Sequence, residues 1–305
     1  MSELSPIQGR PQMASAISDR AFSRIAAIAA REAGIVLSAS KVSMVKSRLT
    51  RRLRALKMSS FDDYLDFLEA SGDRTEMNNF ISALTTNVSH FFRENHHFEY
   101  LESSILPRLK QKLASGGKVR IWSAGCSNGQ EPYSIAMTLL RAAPDLAQKD
   151  LKILATDIDP EVITRAKSGQ YVGSLTTGLT DPTIASFFKK SLLDGEQALT
   201  VNPNVRNMVS FRQLNLHADW PMKGKFDVIF CRNVVIYFDE ETQIRLYRRY
   251  ANILEPGGWL MLGHSERLNE SVIPLFESTG VTTYKTKETI ASPAPVGAHE
   301  SKGPV

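Results

Sequence analysis

Three short stretches of this 305-residue chain gather residue types that could do chemistry. "SAGCSNGQEP" (123–132) sets two glycines, Cys126 and Glu131 between an apolar run and a helical pattern. "LATDIDP" (154–160) closes a second apolar run on Asp157, and "FDVIFCRNVVIYF" (226–238) closes a third ahead of Arg232, Asn233 and Tyr237. A glycine loop between strand and helix lets a ligand approach the backbone. Its spacing matches neither G-x-G-x-x-G nor G-x-x-x-x-G-K-[ST], which disfavours a dinucleotide pyrophosphate or a nucleoside triphosphate. Glu131 would repel phosphate and could hold an ammonium group; an acid at a helix start, followed by Pro132, is equally what the helix dipole favours. Asp157, at the carboxyl end of its strand, can accept hydrogen bonds from both hydroxyls of a ribose, while Asp159 reads as the cap of the helix opened by Pro160. A loop glycine plus a ribose-type acid, without a pyrophosphate fingerprint, points to a nucleoside with a charged, phosphate-free tail. S-adenosylmethionine fits that description.

Other chemistries fare worse. Two cysteines, Cys126 and Cys231, are too few for a disulfide scaffold or a four-cysteine zinc site. Cys231 lacks the preceding proline common in cytosine C5 methylation, and no activating base is evident, so both read as small buried thiols. The N/D-P-P-Y/F/W loop common in base amino-group methylation is missing too. The six histidines show no metal-ligand spacing, and His96 and His97 are expected on different faces of a helix, so no metal is expected.

The elements that must position these residues fall into two rhythms. From about Asp19 to Leu84 the pattern is helical throughout, giving an all-helical N-terminal domain over 18–84. From Lys118 onward, apolar runs ("VRIWSA", "LKILATD", "FDVIFC", "GWLMLG") alternate with helical patterns, which predicts an α/β domain over 118–287. Its sheet is expected to be mostly parallel, with helices on both faces. Residues 85–117, a linker and a helix, carry more polar chemistry than a passive connection needs. Two runs around "NPN" (202–204) predict a small antiparallel β addition over about 183–213. Residues 1–17 and 288–305 lack a hydrophobic period and are expected to be flexible.

Composition is that of a soluble globular protein, 42% hydrophobic and 23% charged. No apolar run approaches the roughly 18 residues of a membrane span, and the polar start lacks a secretory signal, so membrane insertion is not expected and a cytoplasmic location is. The net charge of +5 suggests an anionic partner. "KVSMVKSRLTRRLRALK" (41–57) concentrates that charge, holding Lys41, Lys46, Arg48, Arg51, Arg52, Arg54 and Lys57 with no acid between them. Val42, Val45, Leu49, Leu53 and Leu56 recur at helical spacing, which predicts an amphipathic helix with one positive face. A merely solvated face and a nucleic-acid site are the competing readings.

Taken together, "TTNVSHFFRENHHFEYL", "IWSAGCSNGQEPYSIA", "ATDIDPEVITRAKSGQY", "LNL" (214–216), "FDVIFCRNVVIYF" and "LEPGGWLMLGHSE" resemble the CheR-type chemotaxis receptor glutamate O-methyltransferases. The resemblance runs in order from about residue 20 to 287. Asn128 and Gln130 stand where the family usually has Thr and Glu, and Ser89 where Thr is common; hydrogen-bonding capacity is kept. The resemblance implies a Rossmann-like class I methyltransferase domain. It places S-adenosylmethionine contacts on Asn87, Ser89, Arg93, Glu131, Asp157, Asn215, Leu216, Arg232 and Asn233. It also points to Arg93 and Tyr237 beside the reacting methyl, and to S-adenosylhomocysteine as product.

The implied acceptor is a glutamate carboxylate in the acidic helical methylation region of a chemoreceptor. That partner favours a protein-docking role for the positive helix over nucleic acid, with Arg51, Arg52 and Arg54 as contacts. In some members the small β addition also tethers a receptor's C-terminal peptide. A methyltransferase of RNA or a small molecule, and a non-catalytic chemotaxis adaptor on the same fold, are the alternatives.

Overall fold

The computed structural model describes residues 17–287, so the two expected flexible ends lie outside the described residues, save for Ile17. The N-terminal unit is four helices, α1 (Asp19–Ala33), α2 (Val42–Leu56), α3 (Phe61–Ser71) and α4 (Arg74–Leu84). Their limits follow from local chemistry. Ser18, Ser60 and Asp73 accept hydrogen bonds from first-turn amides, and Gly34 and Gly72 take the left-handed conformation that ends a helix. Each helix then buries one apolar stripe: Ile25 and Ile28 of α1, Val45 and Leu49 of α2, Tyr64 of α3 and Phe80 of α4 share a core.

Residues 85–95 run without helix or strand to α5 (His96–Tyr100), a π-helical turn (Leu101–Ile105) and α6 (Leu106–Ala114). The α/β domain opens with β1 (Val119–Ala124), α7 (Gln130–Ala142), β2 (Leu151–Asp157) and α8 (Pro160–Ser168). After it come β3 (Gln170–Val172), α9 (Asp181–Phe187), β4 (Phe188–Leu193), β5 (Glu196–Val201), α10 (Pro203–Arg206) and β6 (Val209–Gln213). The chain finishes through β7 (Phe226–Cys231), α11 (Glu240–Ile253), β8 (Leu254–Leu262), β9 (Phe276–Gly280) and β10 (Thr283–Thr286).

Seven strands form one sheet in the order β6-β2-β1-β7-β8-β10-β9. Pairing is parallel from β6 to β8 and antiparallel for β10 with β8 and β9. Alternate strand residues feed two cores. Ile121, Ile153 and Val228 pack with Ile135 and Leu139 of α7, whereas Trp122, Ile229 and Leu260 pack with Leu246 and Tyr250 of α11. Strand β7 is buried along its whole length, as a central parallel strand covered on both faces must be. The chain winds outward from β1 to β2 and β6, then returns to β7 on the other side of β1. A crevice opens where the winding reverses, at the carboxyl ends of β1 and β7.

The antiparallel addition exists but is built differently from expectation. It is β3-β5-β4, residues 170–201, and the run after the Asn-Pro-Asn turn is not part of it. Pro203 opens α10 instead, and β6 pairs parallel to β2 at the edge of the main sheet. A proline at the first helical position favours a helix start as readily as a turn.

Candidate functional site

At the carboxyl edge of the sheet lies a cleft of about 1010 Å³, counting the space at its mouth. All ten residues expected at the cofactor and the reacting methyl line it. Five places in the chain supply them: the irregular stretch 85–95, the first turn of α7, the end of β2, and the loops 214–216 and 232–237. Ala33, Ile35 and Leu84 of the helical unit line it too, and sequence reasoning had not reached these. Their apolar character carries no motif; the packing of the helical unit, α4 on α8 and the end of α1 on the loops at the sheet edge, brings them there. Asn215 Nδ2 donates to the Glu32 carbonyl at 2.7 Å, and Val36 N–H donates to the Tyr237 carbonyl at 2.8 Å.

The first loop is shaped for close contact. Gly125 has φ +95°, and a Cβ there would meet Val234 Cγ2 at 2.3 Å, so the Val234 side chain of the loop after β7 rests directly on the Gly125 backbone. Asp157 ends β2 and accepts from the Ser127 amide at 2.8 Å and the Asp159 amide at 3.1 Å. Burial pushes its carboxyl up to about 6, against the pull of these amides. Asp159 caps α8 as expected, through the Glu161 amide at 2.9 Å, and its other oxygen accepts from Asn87 Nδ2 at 2.8 Å. Asn87 also takes a hydrogen bond from Ser127 Oγ on its carbonyl, 2.9 Å away. The segment 85–95 is thereby laid across the loop after β1.

Glu131, in the first turn of α7, accepts from Ser123 Oγ at 2.7 Å and from Arg232 Nη1 at 3.2 Å. Burial pushes its carboxyl up, opposed first by the Arg232 charge. Arg232 is buried and also pairs with Glu94 at 3.2 Å, while donating to the Arg93 carbonyl. Burial alone would raise the Glu94 carboxyl, but the Arg232 charge and a hydrogen bond with His264 hold it down to about 2. Arg93 differs. Its guanidinium donates to the Val88 carbonyl at 3.1 Å, and among the described residues no carboxylate pairs with it. Tyr237 and Ser89 line the same cleft.

Glu94 escaped the sequence reading although it follows Arg93 directly, because its partners Arg232 and His264 lie more than a hundred residues away. The histidine pair needs a correction. His96 and His97 do not face apart: their rings lie 4.1 Å apart, since consecutive helical residues are turned by only about 100° and both rings lean the same way. Together with Glu94 they bring ligand-type atoms within 4.8 Å of one another. The Arg232 guanidinium already occupies that carboxylate, and burial followed by the Arg232 charge holds His97 down to about 3.

The positive helix is α2, and its predicted stripe is buried at Val45, Leu49 and Leu53. Two of its cations turn inward. Arg48 donates to the Leu84 carbonyl at 3.0 Å and the Thr85 carbonyl at 2.6 Å, capping α4. Arg52 makes paired bonds to the buried Glu76, which also accepts from Tyr64 Oη at 2.8 Å. Arg51 and Arg54 are exposed. Among the described residues, no helix is long and apolar enough to cross a membrane.

Comparison with known proteins agrees with this architecture. The sequence family described as "CheR methyltransferase, SAM binding domain" matches residues 87–285, and "CheR methyltransferase, all-alpha domain" matches residues 20–85. A "Probable chemotaxis protein methyltransferase" of Rhizobium etli is 46% identical over 83% of this chain and 95% of its own length. The chemotaxis protein methyltransferase of Salmonella typhimurium is 42% identical over 88% of this chain and 91% of its own. That of Escherichia coli is 42% identical over 83% of this chain and 86% of its own. Among solved structures, the glycopeptide N-methyltransferase MtfA complexed with sinefungin aligns over 52% of this chain and 48% of its own, at 14% identity and a TM-score of 0.30.

Proposed function

Since this chain belongs to the CheR methyltransferase family, with S-adenosylmethionine as its methyl donor, we propose that its acceptors are glutamate side chains in the acidic helical region of chemotaxis receptors. The products are then glutamate methyl esters and S-adenosylhomocysteine, formed in the cytoplasm during adaptation. One observation carries the reading: two guanidiniums share the cleft in unequal states. Arg232 is matched by Glu131 and Glu94, whereas Arg93 has no carboxylate partner among the described residues. A cleft with one unmatched guanidinium suits an incoming carboxylate.

The donor set fits the cofactor. Asp157 would accept from the ribose hydroxyls, Glu131 would hold the methionine ammonium, and Asn215 and Leu216 would lie toward the base. Asn87, Ser89, Arg232 and Asn233 complete the contacts. When bound, the sulfonium supplies a methyl carbon open to nucleophilic attack. Arg93 would orient the acceptor carboxylate through paired charge-assisted bonds, and Tyr237 would give a hydroxyl or an aromatic wall beside it. With an unperturbed pKa of about 4.3, a glutamate acceptor is already ionised at neutral pH, so no general base is required. A thiolate route is disfavoured because burial pushes both thiols, Cys126 and Cys231, far above their ordinary range. The segment 85–95 and the helical unit roof the cleft and keep water from the opposed charges that neutralise in the transition state.

Docking is assigned to the outer face of α2, where Arg51 and Arg54 meet the acidic receptor helix while Arg52 holds the helix to α4. The test is transfer of labelled methyl to a panel of receptor cytoplasmic fragments, with RNA as the competing acceptor. Base-labile label on the fragments supports an ester; label on RNA alone overturns the reading.

A further inference from the structure

The turn after β8, "GHSE" (263–266), enters the site described above only through His264, yet it also holds a nearly buried carboxylate. Glu266 is 2% exposed. One of its oxygens accepts from the Gly263 amide at 2.6 Å and the Asn233 amide at 3.0 Å. The other accepts from the Val234 amide at 2.8 Å and the Val235 amide at 3.0 Å. Asn233 has φ +58°, and Val234, at φ −118° and ψ −48°, is right-handed helical. Successive residues of opposite hand turn their N–H groups to one side and make a concavity that attracts an anion. Here the anion is the protein's own.

From this geometry we infer that Glu266 is a positioning residue: it fixes the loop that carries Asn233 and Tyr237 into the cleft, without facing the cleft itself. Glu266 is not among the residues that line the cleft, whereas Asn233, Val234 and Tyr237 are. The far end of the loop is held separately, by the Val36 amide on the Tyr237 carbonyl and by Gln243 Nε2 on the Val235 and Phe238 carbonyls. Gly263 leaves no slack between turn and loop. A Cβ there would meet Asn233 Nδ2 at 2.6 Å and Asn233 N at 2.8 Å. The adjacent His264 contacts Glu94 Oε1 at 2.9 Å, so one turn braces two walls of the site. A site held this way keeps its reacting groups in place before substrate arrives, and a displacement of about 1 Å can cost 10²-fold in rate.

The inference rests on the methyl-transfer reading but not on which acceptor is used. The test compares the full-length protein with E266Q, using whichever acceptor the wild type methylates, and pairs kcat with amide hydrogen exchange. A glutamine amide group would face two N–H donors where it must accept, freeing at least one pair. Expected for folded E266Q is a kcat lowered about 10- to 100-fold at saturating cofactor and acceptor, with faster exchange confined to 233–235 and Gly263. Wild-type kcat in folded E266Q, or a lowered kcat with unchanged exchange at 233–235, overturns the inference. Should E266Q not fold, G263A pushes the same loop from the other side and is expected to give the same paired signature; wild-type kcat there overturns it as well. Slow exchange at 233–235 in the wild type is required in any case. Failure of the acceptor reading is seen separately, as a wild type that leaves receptor fragments unlabelled.

Discussion

Arg232 lies between two carboxylates, 3.2 Å from Glu131 on one side and 3.2 Å from Glu94 on the other, and is itself buried. One cation thus ties the helix after β1, the segment before α5 and the end of β7 into one wall. Removing it strands two acids in a poorly solvated place. Arg232→Ala is expected to cost roughly 3–5 kcal/mol, read by urea unfolding at neutral pH. A loss below about 1 kcal/mol would show that water replaces the guanidinium freely.

The same pair sets an acid limb of stability. Glu94 is held down to about 2 in the folded protein, below its ordinary 4.5. The unfolded chain therefore binds the proton first, and the stability this group contributes is present above about pH 5 and lost as pH falls toward 2. Glu94→Gln should flatten that limb of the unfolding profile. An unaltered limb would place the acid sensitivity elsewhere.

Asp157 has the opposite sign. Its carboxyl is raised from 3.8 to about 6, so its stabilising contribution to the free protein is complete below about pH 4 and lost as pH rises through 6. Cofactor binding favours the ionised form, which accepts from ribose hydroxyls. Affinity is expected to hold above pH 7 and weaken between 7 and 5, and Asp157→Ala should weaken it at least tenfold at pH 7.5. Calorimetry across that range checks both; a pH-independent Kd contradicts the ribose assignment.

On α2, neighbouring arginines should behave differently. Charge reversal at Arg51 and Arg54 is expected to raise KM for receptor fragments severalfold, more at low salt, with cofactor Kd unchanged. Arg52→Ala should instead lower stability by roughly 2 kcal/mol, because the buried Glu76 loses its partner while Arg52 is itself partly screened. Equal effects on KM from all three would return Arg52 to the docking face.

The cleft was legible because its charged residues sit at the carboxyl ends of strands that announce themselves as apolar runs. Asp157 after "LAT" and Arg232 after "FDVIFC" could be placed at one sheet edge from order alone. Partnerships across the chain were not legible. A basic residue on an amphipathic helix reads as solvent-facing, but Arg48 and Arg52 lie close enough to the apolar stripe to reach the end of α4 and Glu76. Likewise Glu266 follows β8 with no spacing signal, since its partners are backbone amides, which every sequence supplies. Strand β6 went to the main sheet because its pairing with β2 depends on a neighbour 56 residues earlier, not on its own pattern.

Arg93 is the residue on which the carboxylate acceptor turns. Labelled methyl transfer to receptor fragments, comparing wild type with Arg93→Ala of matched unfolding midpoint, measures whether its unmatched guanidinium orients an acceptor carboxylate. Base-labile label is expected with the wild type and at least about 100-fold less with the variant at saturating cofactor. Wild-type turnover by the folded variant, or base-stable label on the receptor, would contradict this expectation.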